Sequence, residues 1–253
     1  MKISKSFTNI TLRRLSFFLL LLSTLSACSQ PRKMEATPDR FERLNRSVYK
    51  VNATLDRRLF KPVAIVYNKF TPQIIDTSIT NVFANLDDVG NAINNLLQFK
   101  VGEALIDTER FIFNSTFGIA GIFDIATEMG LQKHEEDFGQ TLAKWGVPSG
   151  PYVMLPLLGP STIRDATAKL SVDILTKPTS YSEYSWPLLV VDKLDQRADL
   201  LSAEEVLKVF SDDQYSVLRG VWLQRREHLI QDGKVDEKAQ SDMVDELEDL
   251  DAE

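Results

Sequence analysis

The stretch FGQTLAKWGVPSGPYVMLPLLGPSTIRD, residues 138–165, decides how the chain can fold. From 145 to 163 it carries no charge, yet Pro148, Pro151, Pro156 and Pro160 and Gly146, Gly150 and Gly159 interrupt its apolar residues. As a helix it would reach about 28 Å at 1.5 Å per residue, enough to cross a bilayer. With Pro148 tolerated in a first turn, the other three prolines and two interior glycines still cost roughly 11 kcal/mol against a continuous helix. The segment is therefore apolar with an irregular backbone. Its unpaired N–H and C=O groups cannot face lipid tails, so at membrane depth they must be buried in protein or line a hydrated cavity. One expectation is that this segment walls an amphipathic passage. The competing reading is a loop crossing the core of an ordinary soluble domain.

The amino terminus says where the chain goes. Lys2, Lys5, Arg13 and Arg14 precede an apolar run too short to span, followed by Leu25-Ser26-Ala27-Cys28, the pattern of a secretory signal over residues 1–27. Cys28 is the only cysteine, so no intramolecular disulfide is possible. Leu-Ser-Ala-Cys resembles the lipobox of bacterial lipoproteins, in which the cysteine becomes the acylated first residue; Cys28 is thus expected as the lipidation site. Several acyl chains anchor stably where one binds only marginally. Ser29, rather than Asp, after the cysteine favours the outer membrane, facing the periplasm. Residues 28–38 read as the lipidated terminus and a tether of about 30 Å.

The remaining chain is long enough for one domain, expected over 39–233. Net charge is −7 for the whole chain; without the four basic residues of the signal it falls to about −11. Nine acidic residues against one Lys in 235–253 account for most of that, so 234–253 is expected to be an acidic, disordered tail. Met243, Val244, Leu247 and Leu250 would also allow a short docking helix. No basic stripe with stacking aromatics points to nucleic acid.

Apolar residues recur at three and four along most of the body, which predicts an all-α protein. Helices are expected from Phe41 to Leu59, broken at Lys61-Pro62; over 63–70, stopped by Thr71-Pro72; and over 74–97 with a break near Asp87-Asp88. A further one spans 101–113. The block FIFNSTFGIAGIFDIA, 111–126, reads as a re-entrant or in-plane element, or as a core helix with a glycine contact. Capping boxes at Thr162-x-x-Asp165, Ser202-x-x-Glu205 and Ser211-x-x-Gln214 start later helices; the first ends at Lys177-Pro178 and the last at Gly233. Another helix covers 186–201 with Pro187 in its first turn. Sustained alternation is absent, so no strand is expected.

No catalytic set emerges. There is no G-x-S-x-G elbow, and Ser149 and Ser161 lack a base partner. His134-Glu135-Glu136-Asp137 lacks the spacing of a metal site and reads as a solvated acidic turn; His228 reads as a surface residue near a helix end. No metal, ATP or other cofactor is expected. Arg164 and Asp165 have two readings. In the local one Asp165 caps and Arg164 pairs or snorkels; in the functional one Arg164 meets a lipid phosphate. Trp145 and Tyr152 read as interfacial anchors or core aromatics.

The lipobox at 25–28, DRFERLNR at 39–46, RLFKPVA at 58–64, and above all EDFGQTL at 136–142 with GVPSGPYVMLPLLGPSTIRD at 146–165, resemble the MlaA (VacJ) outer-membrane lipoproteins. The resemblance runs from the lipobox to about Gln231 and leaves out the acidic tail. It implies a ring of amphipathic helices lying in the periplasmic leaflet, with the Pro/Gly-rich segment lining a central channel. It also implies retrograde phospholipid transport: lipid misplaced in the outer leaflet passes to a periplasmic carrier of the MlaC kind, and a trimeric porin is a partner. Tyr152, Met154, Leu155, Leu157, Leu158 and Arg164 are the lipid-path candidates. The alternatives are a lipoprotein that scaffolds envelope proteins and, third, a phospholipase.

Overall fold

The computed structural model describes residues 39–173, 179, 185–201 and 213–233. Cys28, the tether, the helix ending expected at Lys177-Pro178, the capping box at Ser202 and the tail 234–253 lie outside the described residues. The body is helical, as periodicity predicts. Its elements are α1 (Glu42–Leu55), a π-helical segment (Asp56–Phe60), α2 (Lys61–Phe70), α3 (Gln73–Leu97), α4 (Val101–Thr116), the short α5 (Ile125–Glu128) and α6 (Phe138–Lys144). There follow β1 (Tyr152–Leu155), β2 (Gly159–Thr162), α7 (Ile163–Ala168) with a second π-helical segment (Lys169–Asp173), α8 (Ser185–Asp199) and α9 (Gln214–Ile230).

Four expectations need correcting. The first is the absence of strands: β1 and β2 form an antiparallel hairpin inside the Pro/Gly-rich stretch, with Tyr152 opposite Thr162 and Met154 opposite Pro160. Alternation fails as a signal there because prolines occupy strand and turn positions. Pro160 is admissible because the Met154 N–H points away from β2 to the Asn45 side chain, 2.8 Å, so no donor is needed opposite it. The second concerns Lys61-Pro62, which does not break the helix. The path widens into the π segment, where the Lys61 N–H donates to the Asp56 carbonyl five residues back, and Pro62 sits in the first turn of α2.

Third, Asp87-Asp88 does not break α3, which runs unbroken for 25 residues. Asp88 is fully buried and paired with Arg110, 3.3 Å, and Lys133, 3.1 Å. A charge pair in the sequence thus marks a buried ion pair rather than a turn. Fourth, α9 is capped by Asp213, whose carboxylate accepts from the Ser216 N–H, two residues after the cap expected at Ser211, which itself lies outside the described residues. Other boundaries fall where expected. Thr71 and Pro72 are extended and end α2, and Thr162 caps α7 by accepting from the Asp165 N–H.

The 111–126 block is neither one helix nor a span. It leaves α4 at Thr116, turns through left-handed Ile119, Ala120 and Gly121, and re-enters at Asp124, the cap of α5. Gly118 is obligatory in that turn: an added Cβ would lie 2.1 Å from the Phe123 carbonyl oxygen and 2.5 Å from that of Asn114. Gly220, inside α9, has nothing within 4 Å of such a Cβ. Gly118→Ala is therefore expected to lower stability by about 2 kcal/mol or more, whereas Gly220→Ala raises it by up to about 1 kcal/mol. Thermal unfolding of the two variants beside the parent checks both signs.

Candidate functional site

Soluble helices bury an apolar stripe; the helices of this body bury polar ones. On α3 the buried residues are Asn85, Asp88, Asn91, Asn94 and Asn95, and on α4 Ala104, Asp107, Arg110 and Asn114. The outward residues are apolar: Leu44 and Val51 on α1, Ile65 and Phe70 on α2, Ile74 and Leu96 on α3, Leu105 and Ile112 on α4 are all exposed, Phe70 at 73% and Ile74 at 79%. Among the described residues no helix is long and apolar enough to cross a membrane.

The inward polar groups pair with one another across elements, with the Asn85 and Asn95 Oδ1 atoms buried and without a hydrogen-bond partner among the described residues. Asn95 donates to Asp107, 2.8 Å; Asn94 accepts from the Thr141 hydroxyl, 3.0 Å; Asn91 accepts from the Glu136 N–H, 3.1 Å; and Asn85 donates to the Ser115 hydroxyl, 2.9 Å. Arg110 reaches Asp88, both oxygens of Asp124 at 3.2 Å, and the Leu131 carbonyl. Burial pushes the Asp88 and Asp107 carboxyls above the usual range, even with Lys133 and Arg110 beside the first and His134 beside the second. At Asp124 burial is outweighed by the Thr127 hydroxyl and N–H, Asn114 and Arg110, and the carboxyl is held low. The expected solvated turn at His134–Asp137 is corrected by the same network at His134, Glu136 and Asp137, whereas Glu135 is exposed as expected. His134 Nδ1 lies 3.1 Å from Asp107, Glu136 is buried on Lys100 at 2.7 Å, and Asp137 caps α6. Those side chains look inward, so their charge in sequence misreports their exposure. His228 is exposed in the last turn of α9, as expected.

The hairpin is docked by two asparagines of α1. Asn45 donates to the Tyr152 carbonyl, 3.2 Å, and accepts from the Met154 N–H; seven residues on, Asn52 donates to the Leu155 carbonyl, 2.9 Å, and accepts from the Leu157 N–H, 3.0 Å. Each amide stands in for a residue of a third strand, meeting one carbonyl and one N–H that β2 does not reach. Asn52 thereby holds Leu157 at φ 64°, a left-handed conformation that costs a non-glycine residue about 1–2 kcal/mol.

The lipid-path candidates divide between two environments. Tyr152 and Met154 face inward and, with Tyr215, form an apolar cluster against Val48, Tyr49, Trp222 and Leu223. Burial pushes the Tyr152 hydroxyl up to about 12, with the Asp39 charge adding to it. Leu155 points to the other face and is half-buried, whereas Leu157 and Leu158 project at the hairpin tip, 65% and 38% exposed. Arg164 is buried beside Asp165, Nε at 2.9 Å, with Nη1 on the Val147 carbonyl, 3.3 Å; its Nη2 is buried and has no hydrogen-bond partner among the described residues. The local reading of Arg164 therefore describes most of its contacts. Trp145 is half-exposed and donates to the Leu97 carbonyl, 3.1 Å.

Behind the hairpin, Arg226 of α9 clamps α6 to α7. Its guanidinium donates to Asp137 at 2.6 and 2.8 Å and to Asp165 at 2.9 and 3.0 Å. A Cβ at Gly139 would lie 2.4 Å from Arg226 Nη2 and 2.5 Å from Asp165 Oδ1, so a side chain there would push this clamp aside. The docking asparagines, the polar stripes and Arg226 were not among the residues singled out from sequence. The available signal was the run Asn81, Asn85, Asn91, Asn94, Asn95 at helical spacing, since Asn is a poor interior helix former unless its amide is used.

The family model described as MlaA lipoprotein matches residues 37–229. The chain belongs to that family. A Shigella flexneri protein named intermembrane phospholipid transport system lipoprotein MlaA is 31% identical over 252 residues, covering 95% of this chain and 99% of its own. A Haemophilus influenzae protein of the same name is 28% identical over 243 residues, covering 92% and 96%. A Rickettsia bellii protein of uncharacterized function is 32% identical over 196 residues, covering 76% and 77%. A solved chain from a study of the structural basis for maintenance of bacterial outer membrane lipid asymmetry matches with a TM-score of 0.68 at 31% identity, over 76% of this chain and 98% of that one. The Shigella alignment covers more of the chain than residues 1–233 could supply, so the likeness to MlaA extends into the acidic tail, beyond what the motifs alone implied.

Two outcomes follow from this geometry. Asn52→Ala should leave the helical body intact while the Leu157 amide exchanges about fivefold faster, the loss of one hydrogen bond of about 1 kcal/mol; amide exchange at Leu157 and Met154 separates the tip from the strand. At Asp137 burial alone would raise the carboxyl, but Arg226 and the Gln140 and Gly139 N–H groups outweigh it and hold the carboxyl below the usual range. That contribution is present above the ordinary carboxylate pKa and is lost as pH falls through the lowered one. Asp137→Asn is thus expected to lower the unfolding midpoint at neutral pH and to flatten its fall with acid, which a pH series of melting curves reads directly.

Proposed function

We propose that the chain is a phospholipid conduit of the outer membrane. In this reading acylated Cys28 anchors it on the periplasmic leaflet, and its amphipathic helices lie in the leaflet plane as a ring around an amphipathic passage. Phospholipid misplaced in the outer leaflet moves through that passage to a periplasmic carrier of the MlaC kind, with a trimeric porin alongside. The observation that carries the proposal is the inversion of the helices: apolar residues outward and Asn, Asp and Arg inward suit a body surrounded by acyl chains and hydrated within. The names of the Shigella and Haemophilus relatives, and the subject of the solved structure, support the lipid as cargo.

A two-tailed amphiphile needs a route on which its headgroup keeps polar contacts while its tails keep apolar ones. Leu155, Leu157 and Leu158 supply the apolar side at the hairpin, and Tyr152, Met154 and Arg164 shape it from behind. The Nη2 of Arg164 is buried and without a hydrogen-bond partner among the described residues, a donor that a phosphate would meet once the residues covering it moved aside. A conduit of this kind moves lipid only down a free-energy difference, so direction comes from the lipid distribution or from the acceptor downstream.

In a deletion strain, outer-leaflet phospholipid is expected to accumulate. The parent gene and Leu157→Ala should restore it to the wild-type level, and Leu157→Asp, present in the envelope at equal amount, should leave it at the deletion level. Restoration by Leu157→Asp would favour a scaffold instead, and release of fatty acid from vesicles by the pure protein would point to a phospholipase.

A further inference from the structure

Cations along the described chain are divided unevenly. Those of α4, α6, α7, α8 and α9 are taken up in pairs, among them Arg110, Lys144, Arg164, Arg197 and Arg226. Arg40, Arg43, Lys50, Arg57, Arg58 and Lys69 make no ion pair with any described residue, and all of them fall within 40–69. The two acids of α1 and the π segment do not offset them. Glu42 is held by Arg46, 2.7 Å, which Asp213 also engages, and Asp56 is held by Arg197 at 2.6 and 2.9 Å. Among the described residues of a chain of net charge −7, this leaves 40–69 with a set of exposed cations that no described acid neutralises.

Its placement on α1 follows a repeat. Arg43-Leu44-Asn45 and, seven residues later, Lys50-Val51-Asn52 step around the helix by about 100° per residue. In each triplet the asparagine turns inward to the hairpin, the aliphatic residue is exposed beside it, and the cation is exposed beyond that, on the side opposite the asparagine. Arg57, a further seven residues on, prolongs the basic face and is exposed. A row of cations bordering a row of aliphatics is the arrangement of a helix at a membrane interface, with ammonium and guanidinium groups at the level of the phosphates and the apolar row among the chains.

We infer that the basic face formed by Arg43, Lys50 and Arg57 binds the headgroups of anionic phospholipids in the leaflet around the protein. The inference rests on the in-leaflet reading above and adds a lipid class to it. Phosphatidylglycerol and cardiolipin carry net negative charge where phosphatidylethanolamine and phosphatidylcholine carry none, so a stripe without its own acids discriminates by charge. An acidic protein would satisfy the same charges, but it gives no role to the aliphatic row at their border.

The test uses the full acylated chain reconstituted in phosphatidylcholine bilayers with spin-labelled lipids. The motionally restricted fraction of labelled phosphatidylglycerol is compared with that of labelled phosphatidylcholine. The parent should favour phosphatidylglycerol roughly threefold, less than three fully engaged cations could supply, and the preference should shrink in high salt. The variant carrying Arg43→Gln, Lys50→Gln and Arg57→Gln should restrict phosphatidylcholine as before and show no preference. Equal restriction of both lipids by the parent, or a preference the variant keeps, overturns the inference, as does a stripe that in the native envelope crosslinks from position 50 to protein alone. Absence of any restricted lipid would instead count against the in-leaflet reading itself.

Discussion

Amide and carboxylate side chains facing inward from helices are the constraint on which the molecule depends. Each of Asn85, Asn91, Asn94 and Asn95 lies in the interior of α3, where an unmade hydrogen bond costs about 1–3 kcal/mol, and each has a partner outside α3, although the Oδ1 of Asn85 and of Asn95 has none among the described residues. The helix is therefore aligned to α4, to the 131–137 segment and to α6 by groups that must meet at hydrogen-bond distance. An apolar interface would tolerate sliding; this one does not. The same choice frees the outer faces to be apolar, which water would penalise and acyl chains would not.

The charged part of the interior shows how such a core is kept from being merely costly. Arg110 is almost wholly buried, yet its guanidinium has Asp88, Asp124, the Thr127 hydroxyl and a carbonyl around it. Removing one partner would strand the others, so the cluster contributes registry more than net stability. The elevated carboxyls of Asp88 and Asp107 beside the lowered one of Asp124 fit that description. Desolvation prevails where burial is complete, and hydrogen bonds prevail where the cap of α5 supplies them.

The helices were legible in the sequence because their outward apolar residues recur at three and four whichever medium they face; periodicity reports a face, not its direction. The direction was legible only in the asparagines of α3, which have no reason to share a stripe on a solvated surface. Caps and stops were legible where one residue acts alone, as at Thr162 and Pro72. They were not where two effects compete: Pro62 is accommodated by a π turn, and Asp88 by two cations distant in sequence. The hairpin was hidden for a related reason. Its strands are four residues each and its outer edge is completed by Asn45 and Asn52, about a hundred positions away. The Pro/Gly stretch was correctly barred from helix, but its alternative depended on partners that no local pattern contains.

That dependence explains how an apolar segment with an irregular backbone survives here. Asn45 and Asn52 pair with the Tyr152 and Leu155 carbonyls and the Met154 and Leu157 N–H groups, β2 pairs with the other edge of β1, and Pro160 faces a position where no donor is wanted, so these groups need no water. What remains unrelieved is Leu157, left-handed and exposed at the tip. A glycine there would remove the strain, but it would also remove an isobutyl group from the most projecting point of the hairpin. Keeping leucine at a cost of about 1–2 kcal/mol is understandable if that side chain has work to do in an apolar medium, and a loop in water would have no such use for it. The proposed in-leaflet reading accounts for both the strain at Leu157 and the apolar outer faces of the helices.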